Sequence, residues 1–250
     1  MTARLDIAAT VGEAYRGAWN HLGEMVRLIW LPGALYFSLS VAGVFIDVEQ
    51  NRALAVVINL ATLFLWPIIA VAWHRFILMG DAPPGKFHFS FGRREARYLI
   101  VSVFLTLLFA PGVILSATPA FLPANMTASL LSFFGVLLLM VAIYFMVRLT
   151  LLLPAVSVGD PVNPRLVLER TRGNFWRLVA VFAAIVLPMF VILFLVGSLV
   201  GGNLVMNVAA VAVLSLVLIL FAIVNIAVLS IAYRELIGPP GTQAPDSGDY

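Results

Sequence analysis

Long apolar runs separated by short polar segments dominate the chain. Six stretches, uncharged apart from Arg148, each approach the roughly 20 residues that a helix needs to cross about 30 Å of hydrocarbon. They are 28–46, 53–73, 98–115, 130–153, 178–200 and 209–233. None alternates apolar and polar residues as a membrane barrel strand does. The pattern therefore predicts an all-α, polytopic integral membrane protein of about six transmembrane helices.

Two segments outside these runs also carry a structural signal. Within the first 27 residues, apolar residues recur every three or four positions, which predicts an amphipathic helix in the membrane interface rather than a signal peptide. Its apolar face comprises Ile7, Val11, Ala14, Ala18, Leu22, Met25 and Ile29. Between the third and fourth spans, Pro111, Pro119 and Pro123 leave segment 116–129 either as an outer loop or as a segment that dips into the interface.

Composition excludes a water-soluble fold. Hydrophobic residues make up 62% of the 250 residues and charged residues 11%, against roughly 45–50% and 25% in soluble domains. One transmembrane domain over 1–237 is predicted, followed by a disordered cytoplasmic tail over 238–250 that is rich in Pro and Gly. The chain has no cysteine, so disulfides and thiolate metal sites are excluded.

The distribution of basic residues predicts the orientation. They concentrate in the amino-terminal segment and in the loops after the second and fourth spans, which include Arg75, Lys86, Arg97, Arg165 and Arg177. Basic loops stay cytoplasmic, so both termini are predicted in the cytoplasm. All basic residues except Lys86 are arginine, a bias typical of GC-rich bacterial genomes, and we expect a multi-pass protein of a bacterial inner membrane.

A period near 78 residues indicates an internal repeat. Arg16, Arg94 and Arg172 are equally spaced. Each is followed by an aromatic residue and an apolar run that contains proline, and then by a second span that ends at glycine. The predicted units are 1–80, 81–159 and 160–238, each with one interfacial helix and two spans, related by an axis along the membrane normal.

Few residues suggest chemistry inside the membrane. Arg148 lies near the cytoplasmic end of its span, where we expect an interface anchor more than a phosphate ligand. Asn59 and Asn225 are expected to hydrogen-bond neighbouring helices rather than to contact a ligand. Gly197 and Gly201 indicate either close helix packing or the start of a loop. His21, His74 and His88 lie far apart, and no metal, cofactor or catalytic constellation is predicted.

The most distinctive polar segment precedes the fifth span. Clustered arginines beside an aromatic residue suit an anionic headgroup region, and the same applies before the third span. The predicted binding set is Arg93, Arg94, Arg170, Arg172 and Trp176. The favoured interpretation is that these residues determine topology and anchor the interface, and specific recognition of lipid or a partner is the alternative. Membrane lipids are the expected partners, with an unidentified protein as a further candidate, and no nucleic-acid partner is expected.

At these residues the chain resembles the membrane domain of some glycerophosphodiester phosphodiesterases and related bacterial membrane proteins. The motifs that carry the resemblance are Leu153–Pro154–Ala155 ahead of Gly159, the segment from Thr171 to Trp176, and Gly92–Arg93–Arg94–Glu95. The catalytic phosphodiesterase domain has no counterpart here, so the resemblance implies an accessory or lipid-facing role.

Two functions follow as hypotheses. The favoured one is a non-enzymatic membrane protein that interacts with lipid or a partner, because the membrane core lacks groups for general acid–base work. The alternative is a permease for a neutral or amphiphilic small molecule. A tightly packed apolar bundle would favour the first hypothesis. A cavity lined by polar residues of the spans would favour the permease; the candidates are Asn59, Thr62, Ser132, Tyr144 and Asn225.

Overall fold

A computed structural model describes residues 4–47, 49–81, 89, 91–121, 126–198, 200, 201 and 203–241. Within these ranges the chain is all-α and contains no strand. Its helices are α1 Ile7–Asn20, α2 Leu22–Gly43, α3 Arg52–Met79, α4 Arg93–Leu107, α5 Ala110–Ala117, α6 Met126–Leu149, α7 Leu152–Val158, α8 Pro164–Arg170, α9 Phe175–Gly197 and α10 Leu204–Leu236.

Six helical segments are long and apolar enough to cross a membrane, as the sequence predicted. They are Leu22–Gly43, Arg52–Met79, Arg93–Phe121, Met126–Val158, Phe175–Gly197 and Leu204–Leu236. The third combines α4, α5 and a 3-10 turn, because Pro111 lacks the backbone donor needed to continue α4. Helix extends into segment 116–129, expected either as an outer loop or as a segment that dips into the interface, as far as Phe121, and resumes at Met126.

The predicted amphipathic helix is α1. Asp6 caps it by accepting a hydrogen bond from the Ala9 backbone N–H at 3.0 Å. Ala14 and Ala18 are buried, and α1 packs against α9 and α10. The apolar face of α1 therefore covers other helices of the bundle. The last three residues predicted on that face, Leu22, Met25 and Ile29, belong to α2 instead.

Close packing is concentrated at one end of the bundle. In α3 the buried residues lie between Leu65 and His74, and in α10 they lie mainly between Ala222 and Leu236. We call this side, which also holds the amino terminus and the basic loops, the basic end; the opposite side is the far end. Toward the far end most residues of α3 and α10 are exposed or only partly buried.

Several features bear on the predicted repeat and tail. Gly80, Gly159 and Gly238 follow the second span of each unit, and all three have the positive φ typical of helix termination. Arg16, however, lies within α1, Arg94 in the first turn of α4, and Arg172 between α8 and α9. The threefold repeat thus stays a prediction. Of the tail, residues 238–241 are described and 242–250 lie outside the described residues.

Candidate functional site

The residues predicted to bind anionic lipid form two exposed groups. Arg93 and Arg94 begin α4, where the buried Glu95 carboxylate accepts a hydrogen bond from the Gly92 N–H at 2.8 Å and caps the helix. Arg170 ends α8 and Arg172 follows it.

Trp176 is 77% exposed at the start of α9. None of the four arginines forms an ion pair with an acidic residue in the described parts of the chain. Their side chains are therefore free to meet an anionic surface.

The neighbouring residues Asn174 and Arg177 have a structural role that the sequence did not reveal. Asn174 is buried, and its carboxamide oxygen accepts a hydrogen bond from the Leu5 N–H at 3.1 Å. Arg177 donates to the Leu5 carbonyl at 2.7 Å. Both polar backbone groups of the fully buried Leu5 are thus paired. The turn before α9 holds the amino-terminal segment in place.

Arg148 also differs from its expected role as an interface anchor. It is 8% exposed, and its guanidinium donates to the Thr171 hydroxyl at 2.9 Å, to the Tyr144 hydroxyl at 2.6 Å and to the Leu168 carbonyl. It also lies 5.1 Å from the centroid of the Tyr144 ring. Its donors are directed at protein acceptors, so Arg148 fastens α8 and the following turn to α6.

A cavity of about 570 Å³ lies among five of the membrane-crossing helices. Its lining residues from α2, α3 and α4 are Tyr36, Asn59, Thr62, Leu63, Trp66, Pro67, Tyr98, Leu99 and Ser102. Those from α9 and α10 are Val186, Met189, Leu218, Phe221, Ala222 and Asn225. Most of its lining is apolar and it is an open cleft, and we call it the polar cavity after its amide, hydroxyl and phenol groups. Its polar side chains come mainly from α2, α3 and α4 and face an apolar wall formed by α9 and part of α10.

Several polar groups of this lining lack a protein partner. Asn225, Tyr36 and Tyr98 make no side-chain hydrogen bond with any described residue. Asn59 donates only to the Ala55 carbonyl of its own helix, at 2.8 Å. The expectation that Asn59 and Asn225 hydrogen-bond neighbouring helices is therefore wrong. Unpaired polar groups are costly in a membrane interior, so the cavity suits water or a polar ligand.

A smaller cavity extends the polar cavity toward the far end. It has a volume of about 270 Å³, shares Tyr36, Asn59 and Thr62 with the larger one, and reaches Gly43 and Ile46. Because Ile46 follows the far end of α2, the two cavities together run from the middle of the bundle toward the α2–α3 connection.

Toward the basic end, α3 and α10 are joined by buried hydrogen bonds. The Trp73 indole N–H donates to the Ile223 carbonyl at 3.0 Å. The His74 Nδ1 lies 2.7 Å from the Ser230 hydroxyl oxygen, and that hydroxyl donates to the Ile226 carbonyl at 2.9 Å. This network assigns the proton of His74 to Nδ1. The His74–Ser230 contact lies nearer the basic end than the polar cavity, whereas Trp73 and Ile223 lie at the face of α10 turned away from that cavity.

Of the other candidate lining residues, Thr62 lines the polar cavity, whereas Ser132 and Tyr144 do not. No protein-family model, curated protein or solved structure matches this chain. The resemblance to the membrane domain of glycerophosphodiester phosphodiesterases therefore stays a prediction.

Proposed function

We propose that this non-enzymatic protein of a bacterial inner membrane binds a neutral amphiphilic small molecule in the polar cavity and acts as its permease. The observation that carries this proposal is Asn225. Its carboxamide lines the cavity without a hydrogen-bond partner among the described residues. Such a group is expensive inside a membrane unless water or a ligand pairs with it.

The lining indicates the chemistry of the ligand. It contains amide, hydroxyl and phenol groups but no carboxylate, imidazole, ammonium or guanidinium group. A charged ligand would therefore lose its hydration without gaining a counter-charge. The apolar wall formed by Val186, Met189, Leu218 and Phe221 favours a ligand with an apolar part. The same lining offers no carboxylate or imidazole for acid–base catalysis, which supports a non-enzymatic role.

The arrangement of the cavities suggests a direction of access. With the basic end in the cytoplasm, the cavity extends toward the outer side, while the His74–Ser230 contact and the packed core between α3 and α10 close the cytoplasmic side. Passage would require α3 and α10 to separate at the His74–Ser230 hydrogen bond. Such a change corresponds to alternating access around a site near the bilayer midplane.

Cysteine labelling tests whether water reaches the cavity. The chain has no cysteine, so Asn225→Cys and Val213→Cys provide single reactive positions. An impermeant, hydrophilic thiol reagent added to whole cells should modify position 225, because thiols react as hydrated thiolates. Val213 is exposed on the bundle surface but does not line the polar cavity. It should stay unmodified although it is nearer the far end of α10.

Ligand binding is tested with N-phenyl-1-naphthylamine, a neutral fluorescent amphiphile, added to the purified protein in nanodiscs. The Asn225→Leu variant should bind it at least tenfold more weakly than the parent if the carboxamide supplies a buried hydrogen bond. Thr106→Val is the matched control, because the Thr106 hydroxyl bonds only its own helix and lies outside the cavity. An unreactive position 225, together with equal probe binding by all three proteins, would contradict the proposal.

A second candidate function is recruitment of anionic lipid by Arg93, Arg94, Arg170 and Arg172. The observation in its favour is that all four are exposed and lack an acidic partner among described residues. Each basic residue near an anionic surface contributes on the order of 1 kcal/mol. Replacing all four by glutamine should therefore weaken lipid binding by roughly 4 kcal/mol if the contributions add.

Quantifying anionic lipid that copurifies with each variant tests this second function. Arg52→Gln is the control, because Arg52 begins α3 at the far end. The quadruple variant should lose bound anionic lipid while the control retains it. Equal retention by both would leave the four arginines as topology signals.

A further inference from the structure

A second groove follows the face of α10 that is turned away from the polar cavity. Its residues on α10 are Leu216, Ile219, Leu220, Ile223, Ala227, Ile231 and Arg234. Their spacing of mainly three and four places them on one helical face. Asn225 and the other cavity-lining residues of α10 belong to the opposite face. We call this surface the α10 groove, and it is independent of the polar cavity.

The half of the α10 groove near the basic end is polar at its rim. A cavity of about 400 Å³ lies there between α1, α3 and α10. Glu13 and Arg234 form an ion pair across it at 2.7 Å, and both side chains are partly exposed. The aromatic rings of His21 and Phe76 lie 5.3 Å apart in its wall. Positive charge, negative charge and aromatic faces thus meet in one small space.

The other half of the α10 groove is apolar. A cavity of about 480 Å³ lies between α2 and α10, and all its lining residues are apolar, including Trp30 and Phe37. The two cavities are about one helical turn apart. Ala227 of the first lies four residues after Ile223 of the second, and Met25 of the second lies four residues after His21 of the first.

Arg234 and Leu216 mark the two ends of the groove. At 1.5 Å per residue, the distance between them is about 27 Å. This exceeds one leaflet, which is about half of the roughly 30 Å hydrocarbon core.

We propose that the α10 groove is a specific binding site for a zwitterionic phospholipid with an ethanolamine headgroup. The phosphate lies at Arg234, the ammonium lies between the Glu13 carboxylate and the Phe76 ring, and an acyl chain occupies the apolar cavity. Arginine suits phosphate through charge-assisted hydrogen bonds, and an ammonium group is attracted by carboxylates and aromatic faces. The headgroup supplies one charge of each sign, which matches the Glu13–Arg234 pair better than an anionic lipid does.

Two variants separate headgroup recognition from folding. Gly17 lines the cavity between α1, α3 and α10, and a Cβ added there would meet no atom within 4 Å, so Gly17→Leu fills the space without a clash at Cβ. Gly23→Leu is the matched control, because Gly23 is equally open but does not line the groove. Arg234→Gln removes the phosphate contact and leaves the cavity volume nearly unchanged.

The experiment reconstitutes the full chain in vesicles of equal phosphatidylethanolamine and phosphatidylglycerol content, re-extracts it in mild detergent, and measures retained lipid by mass spectrometry. The parent and Gly23→Leu should retain phosphatidylethanolamine in excess. In Gly17→Leu and Arg234→Gln this retention should fall about tenfold. Equal retention by all four proteins, or preferential retention of phosphatidylglycerol by the parent, would overturn the proposal.

A soluble competitor distinguishes binding of the whole lipid from binding of its headgroup alone. Glycerophosphoethanolamine carries the same charges without acyl chains and should not displace the retained lipid at millimolar concentration. Its displacement of the lipid would show that the apolar half of the groove contributes no binding, which also contradicts the proposal.

Discussion

The hairpin formed by α5 and α6 depends on two glycines that allow the helices to approach closely. A Cβ atom added at Gly135 would lie 2.5 Å from the Ser116 backbone nitrogen and 2.8 Å from its Cα. One added at Gly112 would lie 2.9 Å from the Leu139 backbone nitrogen. The contacts are reciprocal. Gly135 faces Ser116, four residues after Gly112, and Gly112 faces Leu139, four residues after Gly135. We predict that Gly135→Ala destabilises the protein.

The size of the effect follows from these distances. The obstructing atoms belong to backbone and cannot rotate away, so α5 and α6 must separate by about 0.9 Å to restore a 3.4 Å contact. Overpacking of this kind costs typically about 1–3 kcal/mol. This cost lowers the stability of the α5–α6 contact directly, because close packing is a main source of helix association in membranes. We therefore expect Gly135→Ala to lower the free energy of unfolding by about 2 kcal/mol.

Gly33→Ala provides the control, since Gly33 lies inside α2 and a Cβ there meets no atom within 4 Å. Alanine should stabilise that helix by up to about 1 kcal/mol. Reversible unfolding in mixed dodecylmaltoside and dodecylsulfate micelles, followed by far-ultraviolet circular dichroism, measures both variants. Equal midpoints for Gly135→Ala and Gly33→Ala would refute the close-packing argument.

Further predictions concern the turn before α9 and the orientation of the chain. Asn174→Ala should lower the unfolding free energy by about 1–3 kcal/mol, measured in the same micelles, because it leaves a buried backbone N–H unpaired. Arg148→Met should make the α8–α9 turn more sensitive to limited proteolysis of the purified protein, since α8 loses its hydrogen bonds to α6. In whole cells, cysteines at Asn51 and Asn203 should react with an impermeant thiol reagent and one at Asn163 should not; the reverse would contradict the cytoplasmic location of the basic end.

The spans were predictable because their signal is local. Uncharged length and hydropathy alone located six helices, since a helix in lipid satisfies its backbone hydrogen bonds within itself. Their ends were less predictable. The second span continues from the predicted limit at Trp73 to Met79, because His74 and Arg75 interrupt the uncharged run without interrupting the helical hydrogen bonds.

The packing contacts were not predictable, because they depend on which helices become neighbours. Gly197 and Gly201 matched a known packing motif, yet a Cβ at either position meets no atom within 4 Å, and Gly197 ends α9. The glycines that do pack closely, Gly112 and Gly135, are in different helices and share no local sequence pattern. The contacts of Arg148 were unpredictable for the same reason, because its acceptors Thr171 and Leu168 lie about 20 residues further along the chain.

The distribution of polar groups on α10 connects the packing of the bundle with its proposed function. One face carries Asn225 into the polar cavity, and the opposite face carries Ile223 and its neighbours into an apolar groove. An acyl chain can fill the apolar groove without leaving polar groups unpaired. In the polar cavity, each unpaired group costs several kcal/mol inside a membrane without water or a ligand. The tightly packed basic end can offset that cost, because its buried core joins α3, α7, α9 and α10. Stability and ligand access therefore belong to opposite ends of the same helices. Replacing Asn225 by leucine should consequently weaken ligand binding without unfolding the protein, whereas damage at the basic end should do both.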